Sequence, residues 1–203
     1  MRILFQGDSV TDAGRDREDF ADLGFGYPVY AAQVIRSALP ERDIEFVNKG
    51  ISGNRSCDLL DRWQEDCIDL QPDVVSILIG INDTWRRFDS NDPTSAAQFE
   101  ENYRGLLEDI RKNTSAKIVL VDPFVLPVDR TKDFWRIDLD EKIQVVRRVA
   151  KDYADVYLPL DGILASHCLS EPPEHWTDDG VHPNENGAKL IGKLLAEAIL
   201  PLI

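Results

Sequence analysis

The chain has 203 residues, 43% of them hydrophobic, enough for one well-buried core and short for two independent ones, so a single domain over residues 1–203 is expected. Its 37 Asp and Glu outnumber 23 Lys and Arg, and the formal charge of −14 repels phosphate backbones and anionic bilayers, which argues against nucleic-acid and membrane partners while leaving a neutral small molecule or oligosaccharide unhindered. No stretch approaches the roughly 20 apolar residues of a membrane span, and no basic-then-apolar leader precedes the first element.

The first apolar run, residues 2–6, is too short for a helix and rich in β-formers, so it reads as a buried strand that delivers Ser9. The carboxyl ends of strands are where open α/β sheets bind ligands. Residues 10–26 form a connection longer than the fold requires, carrying Asp12, Arg15 and Asp16, and read either as a specificity-shaping loop or as solvated charge. A helix is expected over 27–39, stopping at Pro40, and a strand over 44–48. That strand runs into Asn48-Lys49-Gly50-Ile51-Ser52-Gly53-Asn54, where a glycine such as Gly53 can bring its N–H close to a bound molecule with no side chain in the way.

The next helix, 56–69, carries Leu59, Leu60, Trp63 and Cys67 on one side. Cys57 and Cys67 would then lie about 15 Å apart, too far to bridge. With Cys168 they make an odd set, which fits reduced thiols in a cytoplasmic chain. A strand over 73–79 ends at Gly80-Ile81-Asn82-Asp83, placing the Asn82 amide at the same rim as Ser9, and residues 83–95, with Trp85, Arg86 and Arg87, read as a second long loop. Further helices are expected over 96–113, 134–153 and 184–200, and strands over 117–122 and 155–158. The alternation predicts an α/β protein with a parallel sheet covered by helices on both faces. The apolar stretch Leu194–Ile203 can complete the core or meet a second copy, leaving a homo-oligomer open.

Near the far end stands Asp179-Gly180-Val181-His182-Pro183. A serine hydroxyl is a weak nucleophile until an imidazole takes its proton, and the imidazole works best when a carboxylate holds its tautomer. Ser9, His182 and Asp179 can fill these roles; Asp178 also precedes the histidine, but the three-residue offset favours Asp179. Attack on an ester carbonyl creates a negative oxygen, and the Ser9 N–H, a loop N–H such as that of Gly53 and the Asn82 amide are candidate donors to it.

The Gly7-Asp8-Ser9-Val10 block, Gly53, the Gly80-Ile81-Asn82-Asp83 block and the Asp179-x-x-His182 block resemble, in order, the four signature blocks of the SGNH (GDSL-type) hydrolases, over nearly the whole chain. The resemblance implies a flavodoxin-like three-layer α/β/α sandwich with a five-stranded parallel sheet, and no cofactor. It implies Ser9 as nucleophile, His182 as base, Asp179 as its partner, and Ser9, Gly53 and Asn82 as the oxyanion hole. Val10 stands where the name-giving motif has leucine, an apolar exchange that leaves the chemistry untouched. Residues 48–54, 62–66 and 80–86 are similar to the acetylxylan esterase branch, which implies deacetylation of carbohydrate esters, with Trp85 as a substrate-stacking or acyl-pocket wall.

Rival readings exist. His167, Cys168 and His175 crowd toward Asp179 and His182, but their spacings fit no common zinc motif, so no metal is expected. A metal phosphoesterase built on Asp8, Asp12, Asp83 and His182, and a non-catalytic carbohydrate-binding or regulatory domain using the same rim, are the alternatives.

Overall fold

Each short apolar run becomes a strand in the computed structural model, which describes residues 1–203: Arg2–Gly7 (β1), Glu45–Asn48 (β2), Val74–Leu78 (β3), Lys117–Val121 (β4) and Val156–Leu158 (β5). All pair in parallel, in the order β2-β1-β3-β4-β5. This is the flavodoxin-like order, and the crevice where winding reverses, between β1 and β3, is where such folds bind ligands. Because side chains alternate along a strand, Ile3 and Phe5 face one layer while Leu4 faces the other, and β4 splits likewise into Val119 and Val121 against Ile118 and Leu120. A sheet buried on both faces needs such uninterrupted apolar strands.

The helices are Ser9–Asp12 (α1), Tyr27–Ala38 (α2), Ser56–Asp61 (α3), Ile81–Asp89 (α4), Ala96–Asn113 (α5), Arg136–Tyr153 (α6), Leu160–His167 (α7) and Glu185–Ile199 (α8). On one face α2 and α8 pack together, with Leu160 and Leu164 of α7 in the same apolar cluster. On the other, α3, α5 and the later turns of α6 cover Leu4, Val75 and Ile77. The result is a three-layer α/β/α sandwich.

Several expectations need correction. The single helix over 56–69 is broken: α3 ends at Asp61, and a π-turn spans Gln64–Ile68. A contact from outside the helix falls on this turn: Gln6 Nε2 reaches up from β1 and donates to the Asp66 carbonyl at 2.7 Å. Residues 83–95 are not a loop throughout, because α4 runs to Asp89. Its polar later turns hid a helix whose first turn, Ile81, Asn82, Asp83 and Thr84, is buried. Residues 10–26 begin with the short α1, and α7 was not anticipated.

At the carboxyl end, Leu195, Ala196 and Ile199 enter the core, and Leu200, Leu202 and Ile203 pack partly buried against it. Cys57, Cys67 and Cys168 are free thiols, and no helix is long and apolar enough to cross a membrane.

Candidate active site

β1 hands the chain to α1 through Asp8, whose buried carboxylate caps the helix by accepting the Val10 N–H at 3.0 Å. Ser9 is therefore the first helical residue, half-buried, at the carboxyl edge of the sheet. Its Oγ lies 2.9 Å from His182 Nε2, bringing together residues 173 positions apart. The other ring nitrogen, Nδ1, lies 2.9 Å from Asp179 Oδ2. Asp179 Oδ1 meanwhile accepts the Val181 and His182 backbone N–H groups at 2.8 and 2.7 Å. Asp178 is exposed and makes no side-chain hydrogen bond.

The turn that permits this depends on Gly180, which has φ +89; a Cβ there would stand 2.5 Å from the Leu126 carbonyl oxygen. Leu126 N–H in return donates to Gly180 O at 2.8 Å, tying the turn to the segment after β4. Burial pushes the Asp179 carboxyl upward, but its bonds from the His182 ring and the two backbone N–H groups outweigh this and hold it well below the usual carboxylate range. The hydrogen bond to Asp179 raises the His182 imidazole above its ordinary value, against the opposing effect of partial burial.

The Gly53 and Asn82 segments close on the same edge. Gly53 sits at φ +87, and a Cβ built there would meet nothing within 4 Å, so its outer side faces open space. Asn82, 3% exposed, donates one amide hydrogen to the Asn54 carbonyl at 3.0 Å, leaving the other hydrogen of its amide uncommitted.

Residues outside the expected site hold this segment in place. Asn48 Nδ2 donates to the Thr11 and Leu23 carbonyls at 2.7 and 2.9 Å, and its Oδ1 accepts the Gly50 N–H at 2.8 Å. Asp12, 3% exposed, accepts both the N–H and the hydroxyl of Ser52, at 2.8 and 2.9 Å, and pairs with Arg17. Arg62 Nε donates to Asn54 Oδ1, and its Nη1 to Asp66 Oδ2, each at 2.8 Å. Of the two readings of the 10–26 segment, solvated charge does not fit Asp12, which is buried and bonded to the Ser52 segment. Asp83 accepts the Ser56 N–H and hydroxyl at 3.0 and 2.6 Å, and burial pushes its carboxyl up to about 6.

Trp85 lies one turn beyond Asn82 on α4, half-buried, its ring 4.9 Å from Trp135 and 6.0 Å from His182. A cleft of about 130 Å³ opens between Ser9, Ala13, Gly26, Tyr27 and His182. A larger cavity of about 240 Å³, bounded by Leu126, Lys132 and Arg136, contains neither Ser9 nor His182. His167 and His175 instead pack on Trp176, at 5.3 and 4.6 Å between ring centres.

Chemically, a hydroxyl within reach of an imidazole that is itself paired to a carboxylate, on a cleft at the sheet's carboxyl edge, is the arrangement of the serine hydrolase class. Comparison with known proteins narrows this. Residues 5–190 match the GDSL-like Lipase/Acylhydrolase family. The chain is 33% identical to an acetylxylan esterase of Geobacillus stearothermophilus, over 98% of this chain and 93% of that protein. A crystal structure of a catalytic mutant of an acetylxylan esterase from that organism superposes with a TM-score of 0.89 at 32% identity, covering 98% of this chain and 93% of that one. An α/β hydrolase from the metagenome of Lake Arreo, Spain, superposes with a TM-score of 0.90 at 29% identity, covering 100% and 96%. The chain belongs to the GDSL-like lipase/acylhydrolase family and is a carboxylic ester hydrolase.

Proposed function

We propose that the protein is a serine esterase removing short acyl groups, acetyl above all, from carbohydrate substrates, with Ser9 as nucleophile, His182 as general base and acid, and Asp179 as the group that orients the imidazole. The observation that carries this reading is the unbroken contact from Ser9 Oγ through the His182 ring to Asp179, 2.9 Å at each step.

In the first half-reaction Ser9 Oγ bonds to the ester carbonyl carbon while its proton passes to His182 Nε2. Asp179 stabilises the resulting imidazolium. The negative carbonyl oxygen is received by the backbone N–H groups of Ser9 and Gly53 and the free hydrogen of the Asn82 amide. Collapse breaks the bond to the alcohol, which leaves with the proton from His182, and Ser9 holds the acyl group. Water then attacks with His182 again as base, releasing the acid and restoring the serine.

Two observations favour a small acyl group on a sugar. The cleft beside Ser9 is narrow, with Tyr27 forming part of its wall, and the similarity to the Geobacillus stearothermophilus acetylxylan esterase spans the whole domain. Trp85 supplies an apolar wall beside the imidazole. A small-molecule or oligosaccharide ester is thus the substrate class.

The test is a rate screen with acetyl, butyryl and longer p-nitrophenyl esters, acetylated xylan and acetylated monosaccharides, on the wild type and Ser9→Ala. Expected are a steep preference for acetyl and loss of turnover in the variant. Long-chain preference overturns the acyl assignment, and near-native turnover by Ser9→Ala overturns the nucleophile.

A further inference from the structure

A single ammonium group stands behind the proposed acid–base pair. Lys132 belongs to a 3-10 turn, Arg130–Trp135, that leads into α6. Its Nζ donates to the backbone carbonyl of Asp179 and lies 3.8 Å from that residue's carboxylate. The side chain is only 13% exposed. Nζ sits 5.6 Å from the centre of the Trp85 ring and 5.8 Å from that of Trp135. The two indoles are themselves in contact, and Trp85 continues to His182. A partly desolvated cation over two aromatic faces is bound to both by attraction to their electron-rich surfaces.

This arrangement does two things. The Asp179 carbonyl is tethered by a charge-assisted hydrogen bond, so the loop bearing Asp179 and His182 is anchored through Lys132 as well as through the Leu126–Gly180 pair. The charge also acts on the imidazole. Of the charged groups near His182, Asp179 in its own loop favours the protonated ring, Asp8 at the β1–α1 junction adds to this only when ionised, since burial pushes its own carboxyl up to about 7, and Lys132 from the 3-10 turn opposes them. A base must be neutral to accept a proton, and the Asp179 carboxylate left unopposed would keep it charged at higher pH.

We propose that Lys132 is a positioning residue of the hydrolytic site, clamping the Asp179–His182 loop and setting its positive charge against protonation of the imidazole. The inference rests on the assignment of His182 as the base.

The experiment compares wild type, Lys132→Met, Lys132→Gln and Lys132→Arg by two readouts: the pH profile of kcat/KM for p-nitrophenyl acetate, and NMR titration of the His182 ring, one of only three histidines in the chain. In wild type the acid limb is expected above the ordinary histidine range, as the pairing with Asp179 requires. In the two neutral variants both midpoints are expected to move upward together by roughly half a unit to one unit, the scale of one nearby charge at a protein surface. Lys132→Arg is expected to keep the wild-type midpoint. A purely structural lysine would lower activity without moving either midpoint. Unshifted titrations in folded Met and Gln variants, or a shift in Arg equal to theirs, overturn the inference. Because the NMR midpoint is read without turnover, a shift there with Ser9→Ala still active would separate failure of the catalytic assignment from failure of this one.

Discussion

Among single residues, Asn82 makes the sharpest claim about function, because its buried amide spends only one of its two hydrogens on the protein. One hydrogen is spent on the Asn54 carbonyl; the second has no partner in the protein and, in the proposed mechanism, is the donor to the developing oxyanion. Replacing Asn82 by Ala should cut turnover on the order of 10²- to 10³-fold with a smaller effect on KM, since the lost contact forms only as charge develops. Steady-state kinetics on p-nitrophenyl acetate check this, and a loss below about 3-fold would leave Asn82 a loop anchor. At this scale the contacts joining Ser9, His182 and Asp179 were legible because few residue types can form such a relay and the Asp179–His182 spacing is restrictive. Asp12, Asn48 and Arg62 were not. Their importance lies in burial and in partners far along the chain, such as Ser52 for Asp12 and Asn54 for Arg62, which residue type alone does not reveal.

Among the elements, the turn 179–183 carries most of the precision of the site. It is held by the Asp179 carboxylate beneath its own N–H groups, by Thr177 Oγ1 accepting the Gly180 N–H at 2.8 Å, by the Leu126–Gly180 pair and by Lys132 Nζ on the Asp179 carbonyl. A methyl group at position 180 would meet both an unfavourable φ and the Leu126 carbonyl. Gly180→Ala is therefore expected to cost about 1–3 kcal/mol and lower the melting temperature by roughly 2–10 °C, with turnover falling further as His182 leaves register with Ser9. Calorimetry beside an activity assay reads both. An unchanged melting temperature and rate would mean that the turn re-forms without strain. The strands were legible here because buried parallel strands must be short apolar β-branched runs. α4 was misread because its later turns, with Arg86, Arg87 and Asp89, carry the polarity of a loop. The π-turn in residues 64–68 is met by Gln6 from β1, a contact that no pattern within those residues announces.

For the whole molecule, strand order does the organising. With β1 central and β2 and β3 on either side, the segments leaving all three parallel strands, which carry Ser9, Gly53 and Asn82, emerge at one edge of the sheet. α8 follows directly from the turn 179–183 and packs against α2, closing the domain with His182 over Ser9. The alternation of strands and helices foretold the layers, and the order of the sequence blocks foretold which strand ends converge. The net charge of −14 remains consistent with a neutral substrate rather than an anionic one. The readings of a non-catalytic carbohydrate binder and of a metal phosphoesterase share this same edge but differ in whether Ser9 is an activated nucleophile. Incubation with a fluorophosphonate followed by intact-mass and peptide mapping tests that point directly. One adduct per chain, located on Ser9, formed in the presence of chelator and lost in His182→Ala, is the expected result. A chain that stays unlabelled, or carries its adduct on another serine, would contradict it.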